Sequence, residues 1–450
     1  MAKYSLVPAD VPPVATRWRT IRTPLPVPES LPILEALEAA EPVSMAGQPP
    51  VVWERAEGCR VFDPYGNAWL DWSSGVLITN IGHGHPAVIA AVREVLERPL
   101  LASYVFPHRL RAELCELLVR NSPPPLAKVF LLSTGSEAVE NAIKLAFTWG
   151  RDRGKNVLVS FENAFHGRTL GVQLAGGMPR LKAWIPRPDP SFVQVPFPDG
   201  YKNPDTRFAL FDETLAAKAI DGGRVCAVLS ETYQGVGPDF MPEEYARALR
   251  AWCDRRGALL ILDEVQAGFG RTGKFYGFEH YGIAPDLVCL GKGITSSLPL
   301  AAVIGRADVM DQYAPGSMTS THSASPLPVA AAIASIKALL AEDLIGHAAR
   351  MEPVLRDGLA AIVARRPDVL GCLQVRGMVA GIQVVKPGTR EPDGATALAI
   401  NTACFRKGLL MFAPVGVGGE CLKICPPLST PEDALREGIA ALGEAVAETL

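Results

Sequence analysis

The chain has 450 residues, 48% of them hydrophobic and 20% charged, with a formal net charge of −3. That length predicts two or three domains, or one large α/β domain carrying a smaller one, with enough core to stand without disulfide or metal staples. The mild acidity gives no basis for nucleic acid or an anionic membrane as partner. With no signal-type apolar segment after Met1 and no apolar run of 18 residues, a cytoplasmic protein is expected.

The first 45 or so residues are rich in proline (Pro8, Pro12, Pro13, Pro24, Pro26, Pro28, Pro32) and cannot form a continuous helix. They read as an extended arm, of the kind that wraps a partner subunit, ending in a short helix over Ile33–Ala40. A strand–turn–strand follows: Cys59–Asp63, the turn Pro64-Tyr65-Gly66-Asn67, and Ala68–Trp72. His83 and His85 flank glycines in Gly82-His83-Gly84-His85-Pro86, a loop without metal-ligand spacing, and no metal is expected. The nine cysteines form no C-x-x-C pair, and Cys226 and Cys289 lie in apolar runs, which fits buried reduced thiols.

From about 86 to 330 the pattern alternates. Helices are expected at 86–97, 109–120, 136–150, 243–256 and 326–341. Strands are expected at Val129–Leu132, Val157–Ser160, Val225–Ser230, Leu259–Asp263, Leu287–Leu290 and Ala301–Ile304. This alternation predicts an α/β fold with a mostly parallel, doubly wound sheet covered on both faces. The remainder, with a helix over about 341–366, strands such as Val379–Val385 and a last helix from Pro431, reads as a smaller α+β domain formed by the chain ends. The expected division is 1–75 as arm and part of the small domain, 76–340 as the large cofactor-binding domain, and 341–450 as the C-terminal small domain.

Three places carry chemistry. Leu259-Leu260-Ile261-Leu262-Asp263 is an apolar strand ending in a carboxylate, and Leu287-Val288-Cys289-Leu290-Gly291-Lys292-Gly293 is one ending in a lysine between glycines. Open α/β sheets bind ligands at the carboxyl ends of their strands. An aspartate and a lysine on two such ends suit pyridoxal 5′-phosphate: the amine condenses with the aldehyde, and the carboxylate pairs with the pyridine nitrogen. The third place is the strand before Ser133-Thr134-Gly135-Ser136-Glu137, where Thr134 and Glu137 have capping-box spacing. Gly135 and Ser136 then offer N–H groups and a hydroxyl to a phosphate at a helix N-terminus. By contrast, Gly268-Phe269-Gly270-Arg271-Thr272-Gly273-Lys274-Phe275 fails as a nucleotide P-loop, because Phe275 stands where the magnesium-binding hydroxyl belongs.

These stretches, with Leu262 through Lys274, Phe278-Glu279-His280-Tyr281-Gly282 and Pro285-Asp286-Leu287, resemble the class III aminotransferases, a branch of the fold type I pyridoxal-phosphate enzymes. The resemblance runs from about Gly58 to Leu428. It implies Lys292 as the Schiff-base lysine, Asp263 as the partner of the ring nitrogen, and Gln266 as the partner of the phenolic oxygen. It further implies Gly135 and Ser136 as the phosphate cup, Phe165 stacked on the ring with His166 beside it, and Glu231 near the substrate. Thr321 matches a threonine that reaches the other subunit's phosphate, which implies a homodimer with shared active sites.

Two departures bear on substrate. Ser323-Ala324-Ser325-Pro326 replaces the family's common Gly-Asn-Pro stretch, and Lys423 precedes Pro426-Pro427 where members acting on α-amino acids commonly have an arginine. Lysine lacks the bidentate fork for a carboxylate. The pocket entrance is expected to include Ser74, Val76 and Leu77. The expected reaction moves an amino group from an amino-acid donor to a carbonyl acceptor other than a simple α-keto acid: an ω-amine, aldehyde or oxidised amino-sugar type. The arm also has a weaker likeness to members of aminoglycoside pathways. Racemases, decarboxylases and dehydratases share the cofactor site, and a binding module that kept the fold is the reading from another class.

Overall fold

Val225–Glu231 and Leu259–Asp263 are buried at every position, as strands covered on both faces must be. They form the middle of a seven-stranded sheet whose strands, in chain order, are β1 (Lys128–Leu132), β2 (Val157–Phe161), β3 (Phe192–Val195), β4 (Val225–Glu231), β5 (Leu259–Asp263), β6 (Leu287–Leu290) and β7 (Ala301–Gly305). The spatial order is β1-β7-β6-β5-β4-β2-β3. All adjacent pairs are parallel except those of β7, which runs antiparallel to both β6 and β1. The structure, a computed structural model, describes residues 4–98 and 100–450.

Six of these strands coincide with the apolar runs read from sequence. The seventh, β3, was not foreseen: it is a four-residue edge strand in a proline-rich stretch, with the alternating burial of an edge. Helix α1 (Gly135–Arg151) crosses one face of the sheet. Its Ala138, Val139, Ala142, Ile143, Leu145 and Ala146 pack on Leu158, Cys226, Leu229, Ile261, Cys289 and Val303 to form the main core cluster. Gly150 marks the closest approach of this helix to the sheet, since a Cβ there would lie 2.7 Å from that of Cys226. The expected helices at Pro86–Glu97, Arg109–Arg120, Glu243–Arg256 and Pro326–Ala341 are present. Leu344–Val363 follows after a break at Asp343, whose φ is +48°.

The chain divides into two compact units, Pro86–Ile345, which holds this sheet, and Met1–His85 with Gly346–Leu450. In the latter, Val14–Ala15 and Thr20–Ile21 of the proline-rich segment join a six-stranded sheet with Arg55–Glu57, Arg60–Phe62, Ala68–Asp71 and Leu409–Leu410. Ile21, Leu25 and Val27 are buried there against Val61, Trp69, Phe405 and Leu410, so this part of the arm packs on its own chain. An antiparallel sheet of Leu370–Arg376, Val379–Val384 and Cys421–Ile424 completes the unit with the helices Gly394–Arg406 and Glu432–Thr449. Among the described residues, no helix is long and apolar enough to cross a membrane.

Candidate active site

Because the central strands are parallel, their last residues emerge on one edge. Asp263 ends β5 and lies in register with Glu231 at the end of β4 and with Cys289 near the end of β6. Lys292 follows β6 after Gly291 and has a φ of +42°, at the head of a short 3₁₀ turn over Lys292–Ile294. A non-glycine residue held there is strained, and such strain gathers at functional sites.

Helix α1 begins beside this lysine. A Cβ on Gly135 would lie 2.9 Å from Val265 Cγ1, and one on Gly291 would lie 3.2 Å from the same atom and 3.6 Å from Gly135 Cα. The capping box expected from sequence is formed: Thr134 Oγ1 accepts from Glu137 N at 3.2 Å, and Glu137 Oε2 accepts from Thr134 N at 2.8 Å. Gly135 and Ser136 are left with N–H groups that have no partner inside the helix. The loop after β2 reaches the same spot, because a Cβ on Gly167 would lie 2.2 Å from Ser136 Oγ. Gln266 is drawn in as well; a Cβ on Gly235 would be 2.1 Å from its Nε2.

The loop after β2 also connects to both carboxylates. His166 Nδ1 is 2.8 Å from Asp263 Oδ2, while Asp263 Oδ1 accepts from Val265 N at 3.0 Å. Phe165 N donates to Glu231 Oε2 at 2.9 Å, and Gly235 N to Glu231 Oε1 at 2.8 Å. Burial pushes the Glu231 carboxyl up to about 7, with His166 opposing and Asp263 adding to the shift. Burial lowers the half-buried Lys292 amine from its ordinary value, against the pull of Asp263 and Glu231. For His166 burial works against the charge, but the hydrogen bond and charge of Asp263, with Glu231 behind them, prevail and raise the imidazole.

Thus Lys292, Asp263, Gly135, Ser136, Gln266, Phe165, His166 and Glu231 come together in one unit. Thr321 lies in the same unit, on an exposed stretch ahead of the Pro326 helix. Val76, Leu77 and Lys423 belong to the other unit. Val76 is exposed and Leu77 buried on a left-handed turn, and Lys423 is buried in the strand Cys421–Ile424 with its ammonium 6.0 Å from the Phe412 ring centre.

Two residues of the site were missed in the sequence. Arg168 is exposed, with its guanidinium 5.9 Å from the Phe165 ring centre. Glu264 is fully buried and accepts from Gly277 N at 2.8 Å, Phe278 N at 3.0 Å and the Thr232 hydroxyl. The signal for Glu264 was present: two consecutive acids at the end of an apolar strand cannot both be solvated surface charges. The glycine-rich Gly268–Lys274 stretch runs into turns and a five-residue 3₁₀ helix (Gly277–Tyr281), without the long helix that a P-loop requires.

A lysine and a carboxylate on adjacent strand ends, facing a capped helix N-terminus whose glycine a Cβ would crowd, fit pyridoxal 5′-phosphate in both its charges and its close approaches. The class so defined is a pyridoxal-phosphate enzyme of fold type I. The family model for "Aminotransferase class-III" matches residues 43–446, and the chain belongs to that family. It is 35% identical to the acetylornithine aminotransferase of Methanopyrus kandleri over 402 residues, covering 88% of this chain and 94% of that one. It is 34% identical to a 4-aminobutyrate aminotransferase of Mycobacterium leprae, covering 94% and 97% of the two chains. The ornithine aminotransferase of Toxoplasma gondii superposes with a TM-score of 0.83 at 25% identity, covering 94% and 96%. The chain is a pyridoxal-phosphate-dependent aminotransferase.

Proposed function

We propose that this aminotransferase works on an ω-amino compound and its aldehyde, exchanging the amino group with a second amino-acid couple. The observation that carries the reading is the open Arg168 guanidinium beside Phe165, a bidentate receptor for a carboxylate held away from the reacting amine. The relatives named above support it: acetylornithine, 4-aminobutyrate and ornithine all carry an amine remote from a carboxylate. This aldehyde acceptor is preferred to an oxidised amino sugar.

Pyridoxal phosphate, when bound, supplies the aldehyde that takes up the amino group and a ring that draws electrons from the substrate carbon. Lys292 Nζ would hold the cofactor and would serve as the base for the proton on the substrate carbon. Its lowered basicity favours that exchange near neutral pH. Asp263 would keep the ring nitrogen protonated and Gln266 would bond the phenolic oxygen, with Gly135 and Ser136 to hold the phosphate and Phe165 beside the ring.

The working unit is proposed to be a homodimer in which Thr321 completes the partner's phosphate site. The exposed Leu100, Leu101, Tyr104, Val105 and Phe106 support this, and Tyr104 Oη lies 3.0 Å from Thr319 Oγ1, two residues before Thr321 in the chain. The buried free thiols of Cys226, Cys253, Cys289 and Cys404 accord with a cytoplasmic setting. The test is a donor panel of ω-amino acids, α-amino acids and carboxylate-free amines, followed by the absorbance change of the bound cofactor. Conversion fastest with ω-amino acids is expected, and conversion confined to α-amino acids overturns the reading.

A further inference from the structure

Arg168 stands in a loop that is tied down on both sides. Upstream, Phe165 N donates to Glu231 Oε2 at 2.9 Å, and His166 Nδ1 lies 2.8 Å from Asp263 Oδ2. Downstream begins the six-residue helix Leu170–Ala175, too short to hold its own start. Its first residue, Leu170, is exposed, so packing does not fix where the helix begins. Its N-cap residue, Thr169, accepts no hydrogen bond from the helix.

The cap comes from another helix. Glu140, on the second turn of α1, accepts with Oε1 from Gly171 N at 2.8 Å and from Val172 N at 3.3 Å. The same oxygen accepts from Thr169 Oγ1 at 2.6 Å. Glu140 thus takes the two N–H groups that an N-cap side chain ordinarily takes. The fit is close: a Cβ on Gly171 would run into the Glu140 carboxylate, as one on Gly167 would into Ser136 Oγ. Ser136 and Glu140 are one turn apart on α1, so the loop rests on two successive turns of that helix at its two glycines. With three donors on one oxygen and Gly171 against the other, this carboxylate has no room for a substrate amine.

We infer that Glu140 is a positioning residue for substrate selection: by capping the helix that follows Arg168, it fixes the backbone from which the guanidinium receives the substrate's remote carboxylate. This rests on the reading of Arg168 as the carboxylate receptor. The direction of the effect separates positioning from charge. An acid acting by charge alone would repel the substrate carboxylate, and its removal would tighten binding. Removing a cap that holds Arg168 in place weakens it.

The experiment measures KM and kcat for 4-aminobutyrate and for a carboxylate-free amine in the parent holoenzyme, Glu140→Ala, Glu140→Gln, Arg168→Gln and the double variant Glu140→Ala with Arg168→Gln. Glu140→Ala is expected to raise KM for 4-aminobutyrate roughly twofold to tenfold relative to the amine, because a side chain no longer held must be ordered at each binding event. Glu140→Gln, which keeps an acceptor oxygen, should recover most of that loss. In the double variant the ratio of the two KM values should stay where Arg168→Gln alone puts it, as for residues that act through one another. A ratio that holds or moves in favour of 4-aminobutyrate in Glu140→Ala, while Arg168→Gln loses it, overturns the inference alone. A fully additive loss in the double variant overturns it too. If Arg168→Gln keeps the parent's ratio, the reading of Arg168 itself has failed. Should Glu140→Ala not fold with cofactor, Thr169→Val, which removes one of the three bonds, decides. A smaller shift in the same direction is expected, and its absence overturns the inference.

Discussion

Among the described residues two histidine–aspartate pairs are buried, and their surroundings put them to different uses. His83 Nε2 lies 2.6 Å from Asp71 Oδ2, and His166 Nδ1 lies 2.8 Å from Asp263 Oδ2. Around the first pair the partners are backbone and hydroxyl groups. Asp71 Oδ1 accepts from Ser73 N and Ser73 Oγ, Ser73 Oγ accepts from Gly75 N, and Ser74 Oγ donates to Cys425 O. These bonds hold a turn in which Ser74, Gly75, Val76 and Leu77 all have φ between 50° and 66°. That conformation costs about 1–2 kcal/mol for each non-glycine residue, so it persists only under such restraint. Around the second pair the neighbours are titratable groups: Glu231 in register and Lys292 just beyond the end of the next strand. The same two side chains hold geometry in one place and charge in the other.

The largest effect belongs to the second setting. Lys292→Ala is expected to lower turnover by at least 10²–10⁴ and to abolish the absorbance of the lysine-held cofactor. The unfolding midpoint of the cofactor-free protein should change little. Retained turnover in that variant would remove the chemical reason for the charges around His166.

Next comes the contrast between the aspartates. Removing a buried acceptor leaves its donors unpaired, at about 1–3 kcal/mol for each group. For Asp71→Asn this should appear as lost stability in denaturant, because the strained turn loses its anchor. For Asp263→Asn the loss should appear mainly in cofactor affinity and turnover. If Asp263→Asn proves the more destabilised of the two without cofactor, the division between geometry and charge is wrong.

Part of this contrast was legible in the sequence and part was not. Apolar runs ending in Asp263 and in Gly291-Lys292 disclosed the central strands and brought Lys292 forward as the candidate lysine, since continuous burial and a polar terminus leave a local mark. The capping box at Thr134 was equally local. The bond between His166 and Asp263 joins residues 97 apart and exists only because β2, β4 and β5 are neighbours, an order that no local pattern specifies. The left-handed turn was hidden for another reason: Ser74, Val76 and Leu77 are residues that local preference places elsewhere, and distant partners overrule it.

Glu264 sharpens the comparison from a third side, being a buried acid beside Asp263 whose partners are, like those of Asp71, hydroxyl and backbone donors. Burial raises it to about 7, from an ordinary 4.5. A folded-state value above the unfolded one means stability present below about pH 4.5 and lost as pH rises through 7. Measured against Glu264→Gln, which does not titrate, the parent's stability advantage should therefore shrink between pH 4.5 and 7.5, by up to about 3 kcal/mol. A pH-independent difference would mean that Glu264 is ionised in the fold at all these values.

The smallest effect concerns Arg168, two positions beyond His166 and its opposite in exposure. If the buried imidazole holds Asp263 and the exposed guanidinium receives substrate, their substitutions should separate cleanly. A charge-assisted hydrogen bond contributes about 1.5–3 kcal/mol. Arg168→Gln should thus raise KM for an ω-amino acid by roughly tenfold to a hundredfold relative to a carboxylate-free amine. The pH midpoint of the cofactor absorbance should stay within a few tenths of the parent's, because solvent already screens the guanidinium. His166→Gln should show the converse: a shifted midpoint with the ratio of the two KM values kept. Were both variants to move both quantities, the loop after β2 would be acting as one structural unit, and the separate tasks assigned to these two side chains would fall together.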